Sequence, residues 1–366
     1  MIPEPKIQHL IPRLGIFDPY LDTLGGGERY CLSLAEAMLK QGWQVDLFWS
    51  EMAIKEKLTE KFGLGLERLN FVNYQPANCH LWQRRQFESK YDALFWISDG
   101  SLPFLFAKRN WLHFQVPFKN VLRLNLINRV KLKRIEKIIC NSRFTKSFID
   151  GQLKTQSIVI YPPVDITPIQ PGKKENLILS VGRFSQLLQS KRQDVLVEAF
   201  KRMIGDGLKG WKLVLAGGSE VGGREYVEKL KNLCQGYQII IKENISFNQL
   251  LDLYAKAKIF WLASGFDINE KQTPEKVEHF GMTTVEAMAA GAVPVVIAKG
   301  GQREIVERNK NGLLWQTPEE LVQLTEELIK NRKVMKKLSE NAILRSKDFS
   351  KEKFVEKISN LLVRKK

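Results

Sequence analysis

Cysteine and histidine are both scarce in this chain of 366 residues. Cys31, Cys79, Cys140 and Cys234 stand too far apart for a C-x-x-C pair or a compact disulfide framework, and they suit a reducing compartment. His9, His80, His113 and His279 are equally dispersed, so a catalytic metal is not expected. No run of about 18–20 apolar residues occurs. The best candidate, 287–298, is broken by Gly291 and Pro294. The opening fifteen residues lack a charged stretch followed by a long apolar core, so no secretory signal is expected. Low-complexity segments and short repeats are missing too. These absences predict a cytoplasmic protein that does not span a membrane.

Acidic residues are outnumbered 40 to 57 by Lys and Arg, a formal charge of +17. That excess bears on partners and not on fold. Nucleic acid, an anionic membrane surface or a polyphosphate-bearing substrate would each suit it. A nucleic-acid-binding protein should show aromatic-interleaved basic patches or a known module, and neither is visible, so nucleic acid is not expected as a partner. The stretch 121–137, VLRLNLINRVKLKRIEK, is basic and partly amphipathic. It reads either as an interfacial helix on anionic lipid or as a domain helix with a solvated basic face. Its many apolar positions favour the second reading, with those residues packed inside, and peripheral contact with the inner membrane face stays open.

What is present is a regular alternation of short apolar runs and amphipathic stretches, the pattern of parallel sheets with crossover helices. Strands are predicted at 14–17, 45–49, 93–97, 111–116, 135–140 and 157–161, with a helix at 28–41. Prolines 162, 163, 168 and 171 then form a linker-like stretch that can continue neither sheet nor helix. Beyond it, strands are predicted at 177–181, 212–216, 239–242, 260–263 and 293–298, and helices at 194–203, 224–234, 247–256 and 284–290. The tail from Pro318 reads as helical. The expectation is an α/β protein of two doubly wound, Rossmann-like domains, 1–167 and 168–349, facing a central cleft, with ligands beyond the strand ends. A last helix, 350–366, is expected to pack back on the first domain.

Four groups of residues carry chemistry. Glu278 and Glu286 stand eight positions apart, joined by Phe280, Gly281, Met282, Thr283 and Thr284. A glycine before a helix start makes an anion site, and a carboxylate beside it can take sugar hydroxyls. Thr283 and Glu286 also fit a capping box, a purely structural use. Gly182-Arg183 and Lys191-Arg192 offer cations for a diphosphate leaving group without a metal. Gly25-Gly26-Gly27-Glu28 permits a crowded turn that a phosphate or sugar can approach. His113 lies in an apolar strand and reads most readily as a hydrogen-bonded core residue.

The run E-H-F-G-M-T-T-V-E-A-M-A-A-G-A-V-P-V-V followed by G-G-Q-R-E-I-V resembles the E-x7-E motif of glycosyltransferase family 4, retaining enzymes of GT-B fold. The likeness extends from Gly25 to about Val306 and includes Asn141-Ser142-Arg143-Phe144, the 161–165 phrase YPPVD and Gly217 in AGGS. It implies that Glu278 meets the transferred sugar and Glu286 the nucleotide ribose. It implies too that Gly281, Met282, Thr283 and Thr284 present N–H groups to the donor, and that Gly182, Gly217 and Phe280 line its site. Arg183 and Lys191 would hold the diphosphate, although the loop between them is longer than usual and leaves Lys191 or Arg192 open. The family often has a histidine near the donor sugar at the end of a comparable strand, which makes His113 a candidate. The G-G-G-E turn would face the acceptor side of the cleft.

The function so implied is retaining transfer of a mannose- or glucose-type sugar from a UDP- or GDP-sugar to a glycan or lipid-linked acceptor, with no cofactor. A GT-B nucleotide-sugar epimerase and a basic nucleic-acid-binding protein are the rival readings.

Overall fold

The computed structural model describes residues 11–23, 25–51, 53–63, 65–119, 124–186, 189–219 and 223–362. His9, residues 121–123 of the basic stretch and the tail 363–366 lie outside them.

The first sheet is built from β1 (Arg13–Phe17), α1 (Gly26–Lys40), β2 (Gln44–Phe48), α2 (Ile54–Phe62), β3 (Asn70–Val72), α3 (Leu81–Glu88), β4 (Ala93–Ile97), β5 (Arg109–Phe114), α4 (Leu126–Lys133), β6 (Lys137–Cys140), α5 (Arg143–Leu153) and β7 (Ile158–Val159). The strands run parallel in the order β3-β2-β1-β4-β5-β6-β7. The second sheet comes from β8 (Glu175–Val181), α6 (Gln193–Gly205), β9 (Lys212–Gly217), α7 (Arg224–Cys234), β10 (Ile239–Glu243), α8 (Phe247–Lys256), β11 (Ala257–Leu262), α9 (Met282–Ala289), β12 (Val293–Ile297), α10 (Gln302–Ile305) and β13 (Leu313–Trp315). Its order is β10-β9-β8-β11-β12-β13, again parallel. The chain ends in α11 (Pro318–Lys330), α12 (Arg332–Ser346) and α13 (Lys351–Leu362).

Helices on both faces explain why β4 (ALFWI) and β12 (VPVVI) are apolar and buried at every position. Strand order reverses between β1 and β4 in one sheet and between β8 and β11 in the other. A crevice opens beyond the carboxyl ends of strands at such a point. The two motif loops leave from there: Gly182-Arg183 follows β8, and the segment holding Glu278 follows β11.

Most predicted elements lie within two or three residues of the observed ones, and α7 and α8 coincide with 224–234 and 247–256. Strands β3 and β13 and helices α2, α3, α5 and α10 have no counterpart among the predicted elements; each of the two strands is three residues long, too short to show a period. The basic stretch needs a larger correction. Among its described residues only Leu126–Lys133 is helical, and no residue of α4 is buried. The apolar residues that pack on the domain core here are Leu124, Leu132 and Ile135, so the expectation of a helix with its apolar positions inside is overturned.

The chain crosses back at its end. Val164 N–H donates to the Phe349 carbonyl at 3.2 Å, and Lys351 N–H to the Val164 carbonyl at 3.0 Å. Helix α13 then lies on the first domain, burying Phe354, Ile358 and Leu361 in the cluster that includes Tyr30 and Trp111. The Phe354 ring meets Tyr30 edge-on at 4.9 Å, and Lys351 pairs with Glu36 at 2.7 Å. Truncating Phe354 to Ala should lower stability by about 3–5 kcal/mol, read as a lower melting temperature with earlier proteolysis within α13.

At the end of β1, Asp18 is 1% exposed. Burial, helped by the nearby Glu28 charge, raises its pKa from 3.8 to about 7. A carboxyl with a raised folded-state pKa contributes fully below its unfolded value, and the contribution is lost as pH rises through about 7, on the order of 4 kcal/mol. Thermal melts between about pH 5 and pH 8 should therefore show the wild type losing stability with rising pH, and Asp18→Asn should flatten that slope.

Candidate functional site

Helix α9 begins at Met282 and not at Thr283, because Gly281 takes the N-cap position with φ +115°. Only glycine fits there: a Cβ would stand 2.0 Å from the Gln302 amide nitrogen, in a backbone region L-residues rarely adopt. The cap carries no side-chain hydrogen bond, so the helix opens towards whatever lies in front of it. This displaces the capping-box reading of Thr283 and Glu286. Thr283 lies inside the helix, and Glu286 accepts from the Tyr254 hydroxyl at 2.7 Å, with the Arg29 guanidinium 3.7 Å away. Thr284 is buried and donates to Gln302 at 2.9 Å.

Glu278 sits just before that helix, its side chain 15% exposed. Lys191, 13% exposed, donates to it at 2.6 Å. Burial alone would raise the Glu278 pKa; the Lys191 charge and hydrogen bond, with the Arg183 charge, outweigh burial and hold it below the ordinary value. Arg192 turns away, with φ +48°, towards Asp194 at 3.1 Å and Asp267 at 3.4 Å. The fold thus settles which of the two neighbouring cations meets Glu278. Gly182 makes room for it, since a Cβ would stand 2.8 Å from Lys191 Cγ. Gly217 ends β9 against the Gly182 carbonyl.

His279 was not among the predicted site residues, yet it lies beside this pair. The Gln189 amide is 3.0 Å from its ring nitrogens, and Nε2 is 3.2 Å from the Glu275 carbonyl. Burial lowers its pKa to about 4 against the pull of Glu278, so the ring is neutral at pH 7. Its position between Glu278 and Phe280 was the available signal. Phe280 itself is 3% exposed and packs on Tyr161 at 5.3 Å and Phe349 at 5.4 Å, at the crossing between domains.

The first domain faces this cluster with its glycine turn. The Glu28 carboxylate accepts the Gly25 N–H and closes the start of α1. A Cβ on Gly26 would stand 2.5 Å from the Met282 methyl, and one on Gly27 would stand 2.0 Å from the Gln115 amide oxygen. Gln115 donates to the Gly27 carbonyl at 3.1 Å. The turn therefore abuts the start of α9 across the domain interface, and Arg29, one residue past the predicted G-G-G-E, reaches Glu286. Arg29, Gln115 and Tyr254 carried no sequence signal, because their partners lie far away in the chain.

His113 does not join the cluster. It is fully buried, its ring stacked 4.1 Å from Tyr30 and tilted against Phe95 at 5.2 Å. Strand alternation places it on the Trp111 side of β5, under α1 and α13. Burial drives its pKa down to about 3, so it stays neutral in the core. Among the described residues no group of three or more His, Cys, Asp or Glu is arranged to hold a metal ion, and no helix is long and apolar enough to cross a membrane.

The sequence matches two family models end to end: Glycosyltransferase Family 4 over residues 24–167 and Glycosyl transferases group 1 over residues 165–345. An uncharacterized glycosyltransferase of Haemophilus influenzae is 25% identical over 376 residues, covering 96% of this chain and 99% of that protein. An uncharacterized glycosyltransferase of Methanocaldococcus jannaschii is 31% identical over 230 residues, 60% of this chain and 57% of its own length. A Dictyostelium discoideum GDP-Man:Man(3)GlcNAc(2)-PP-Dol alpha-1,2-mannosyltransferase is 28% identical over 59% of this chain and 45% of its own. The chain thus spans only about half the length of these last two relatives.

Among solved structures, a glycosyltransferase from Rickettsia africae superposes with a TM-score of 0.74 at 17% identity, over 96% of this chain and 98% of the other. Anabaena HepE in complex with UDP superposes at 0.71 and 18% identity, over 96% and 99%. Likeness at that identity speaks for the fold. The matches over 24–345 and the two facing parallel sheets show that the chain belongs to the family 4, group 1 glycosyltransferases of GT-B fold.

Proposed function

We propose that the protein transfers a mannose- or glucose-type hexosyl group from a UDP- or GDP-sugar to a hydroxyl of a glycan or lipid-linked acceptor, with retention of configuration and without a metal or other cofactor. The observation that carries this reading is the Lys191–Glu278 pair at 2.6 Å, beside Arg183 and in front of the uncapped start of α9. Mannosyltransferases among the relatives and UDP-bound HepE among the structural neighbours support a nucleotide-sugar donor.

The chemistry follows from charge. As the bond from the anomeric carbon to the diphosphate oxygen breaks, negative charge grows on the leaving group. Arg183, Lys191 and the N–H groups at Met282 and Thr283 stand ready to stabilise it, and preorganised donors act most strongly where water is excluded. Lys191 shifts from Glu278 to the diphosphate, which frees the carboxylate to accept hydrogen bonds from the sugar. The acceptor oxygen bonds to the anomeric carbon on the face the diphosphate leaves, and its proton passes to the departing phosphate oxygen. Glu286, oriented by Tyr254, takes the ribose hydroxyls. Neutral His279 adds a hydrogen-bonding group next to the sugar site without adding charge.

A thermal-shift panel of UDP- and GDP-sugars tests the donor class. At least one nucleotide sugar or nucleoside diphosphate should stabilise the wild type, and Arg183→Ala should abolish the shift. Absence of any shift in the wild type would remove the reading. Glu278→Gln should keep nucleotide binding yet lower turnover about 100-fold or more; unchanged turnover would exclude Glu278 from the sugar site. Product analysis without acceptor separates transfer from epimerisation of the donor. Arg29→Ala, which leaves Glu286 with Tyr254 alone, should change KM for the donor more than kcat, measured as nucleoside diphosphate released.

A further inference from the structure

Helix α4 is well formed and yet turned outward. The Asn125 side chain accepts the Asn128 N–H at 2.8 Å and caps its start, but none of its eight residues is buried. Leu126, Ile127 and Val130 are 78%, 60% and 48% exposed. At positions i, i+1 and i+4 they share one helix face. The helix is anchored from its other side: Leu132 packs on the domain core, and Lys131 lies over the Phe104 ring at 5.2 Å. Arg134, just past its end, donates to the Leu105 carbonyl at 2.6 Å and covers Phe106 at 5.4 Å. The neighbouring α3 grips the same segment through Arg84, which donates to the Phe104 carbonyl at 2.7 Å, and its Leu81 and Trp82 are 53% and 65% exposed.

The charge around this face is of one sign. Between 129 and 137 there are five Lys and Arg residues against Glu136. Lys131 and Arg134 are engaged with Phe104, Phe106 and the Leu105 carbonyl, Arg129, Lys133 and Lys137 make up the rest, and Glu136 is held by Arg109 at 2.8 Å. A cavity of about 540 Å³ lies alongside, with Leu132, Ile138 and Leu153 in its lining together with Arg129, Lys133 and Lys154. Apolar side chains and cations thus meet at one place on the first domain.

We propose that this face docks on an anionic lipid bilayer, with Leu126, Ile127 and Val130 entering the boundary of the acyl region and the flanking Lys and Arg meeting headgroup phosphates. An exposed apolar helix face rimmed by cations is the pattern that a charged interface rewards twice, through apolar burial and through counter-charge. Two other occupants fit less well. A stable protein interface needs about 800 Å² on each side, more than three side chains of a short helix offer. A single-stranded nucleic acid needs a row of aromatic rings free to stack, whereas Phe104 and Phe106 lie beneath Lys131 and Arg134, and of the rings Trp82, Phe104 and Phe106 only the first is exposed. The location also suits transfer to an acceptor held in a bilayer. Lys119, a few residues upstream of α4, donates to the Lys271 carbonyl of the second domain at 2.6 Å, so this part of the chain runs from the domain interface.

Vesicle flotation with the full chain tests the proposal independently of any donor or acceptor. The protein should float with phosphatidylcholine vesicles containing phosphatidylglycerol, stay behind with phosphatidylcholine alone, and be released as salt rises. The double variant Leu126→Asp, Ile127→Asp should bind at least about tenfold less. Leu344→Asp, an equally exposed apolar residue on α12 of the second domain, should bind as the wild type does. Melting temperature and the nucleotide-induced thermal shift should be unchanged in both. If the double variant misfolds, the milder Ile127→Ser with Val130→Ser replaces it. Failure to float with anionic vesicles, flotation of the α4 variants equal to wild type, or binding of an oligonucleotide through this face instead of vesicles would overturn the proposal.

Discussion

A nearly buried lysine beside a nearly buried glutamate is the constraint around which this molecule is arranged. Lys191 and Glu278 lie 87 positions apart, one at the entry to α6 and the other at the entry to α9. Removing two charges from water is costly, and their attraction compensates only when geometry is good and the other polar atoms find partners. The second domain meets those terms. Gly182 clears the path of the lysine, the peptide after Glu278 is held through the Gly301 N–H to the Glu278 carbonyl at 2.9 Å, and Arg183 adds to the local field. The pair gives each charge a partner and keeps both in front of the uncapped start of α9.

The first domain is held against that centre by unlike contacts. At one end, the Glu304 carboxylate of α10 accepts the Arg143 and Phe144 N–H groups, both at 2.7 Å, so a side chain of the second domain caps α5 of the first. Burial raises the Glu304 pKa despite those bonds. At the crossing, Tyr161, Phe280 and Phe349 pack as a trio of rings around the two strands of chain that pass between domains. Across the middle, the glycine turn meets Met282, and Arg29 meets Glu286. Helix α13 completes the arrangement by returning the end of the second domain to the core of the first.

The motif glutamates, the basic pair and the alternation of strand and helix were legible because each is a local property. Gly281 had to be glycine for a reason that its neighbours in sequence suggest, a helix start. The exclusion of a side chain by Gln302, however, is a contact across 21 positions. Thr283 and Glu286 show the limit of local pattern. Their spacing satisfies a capping box, but the glycine two residues earlier had already taken the cap, and Tyr254 claimed the carboxylate. His113 shows the opposite limit: its place in an apolar strand identified a core residue, and the family resemblance drew it towards the donor.

The sequence by itself determined the fold class, the two-domain order and the family, because hydrophobic period, proline punctuation and an unbroken motif are written along the chain. It also supplied the charged residues, Arg183, Lys191 and Glu278, in their order along the chain. Tertiary structure alone decided which charge goes where. It chose Lys191 over Arg192, placed His279 and Arg29 at the site and His113 in the core, and turned the apolar face of α4 outward. Each of those outcomes depends on which side of a strand or helix a residue occupies and on what a distant segment brings to meet it. Neither is encoded by spacing along the chain.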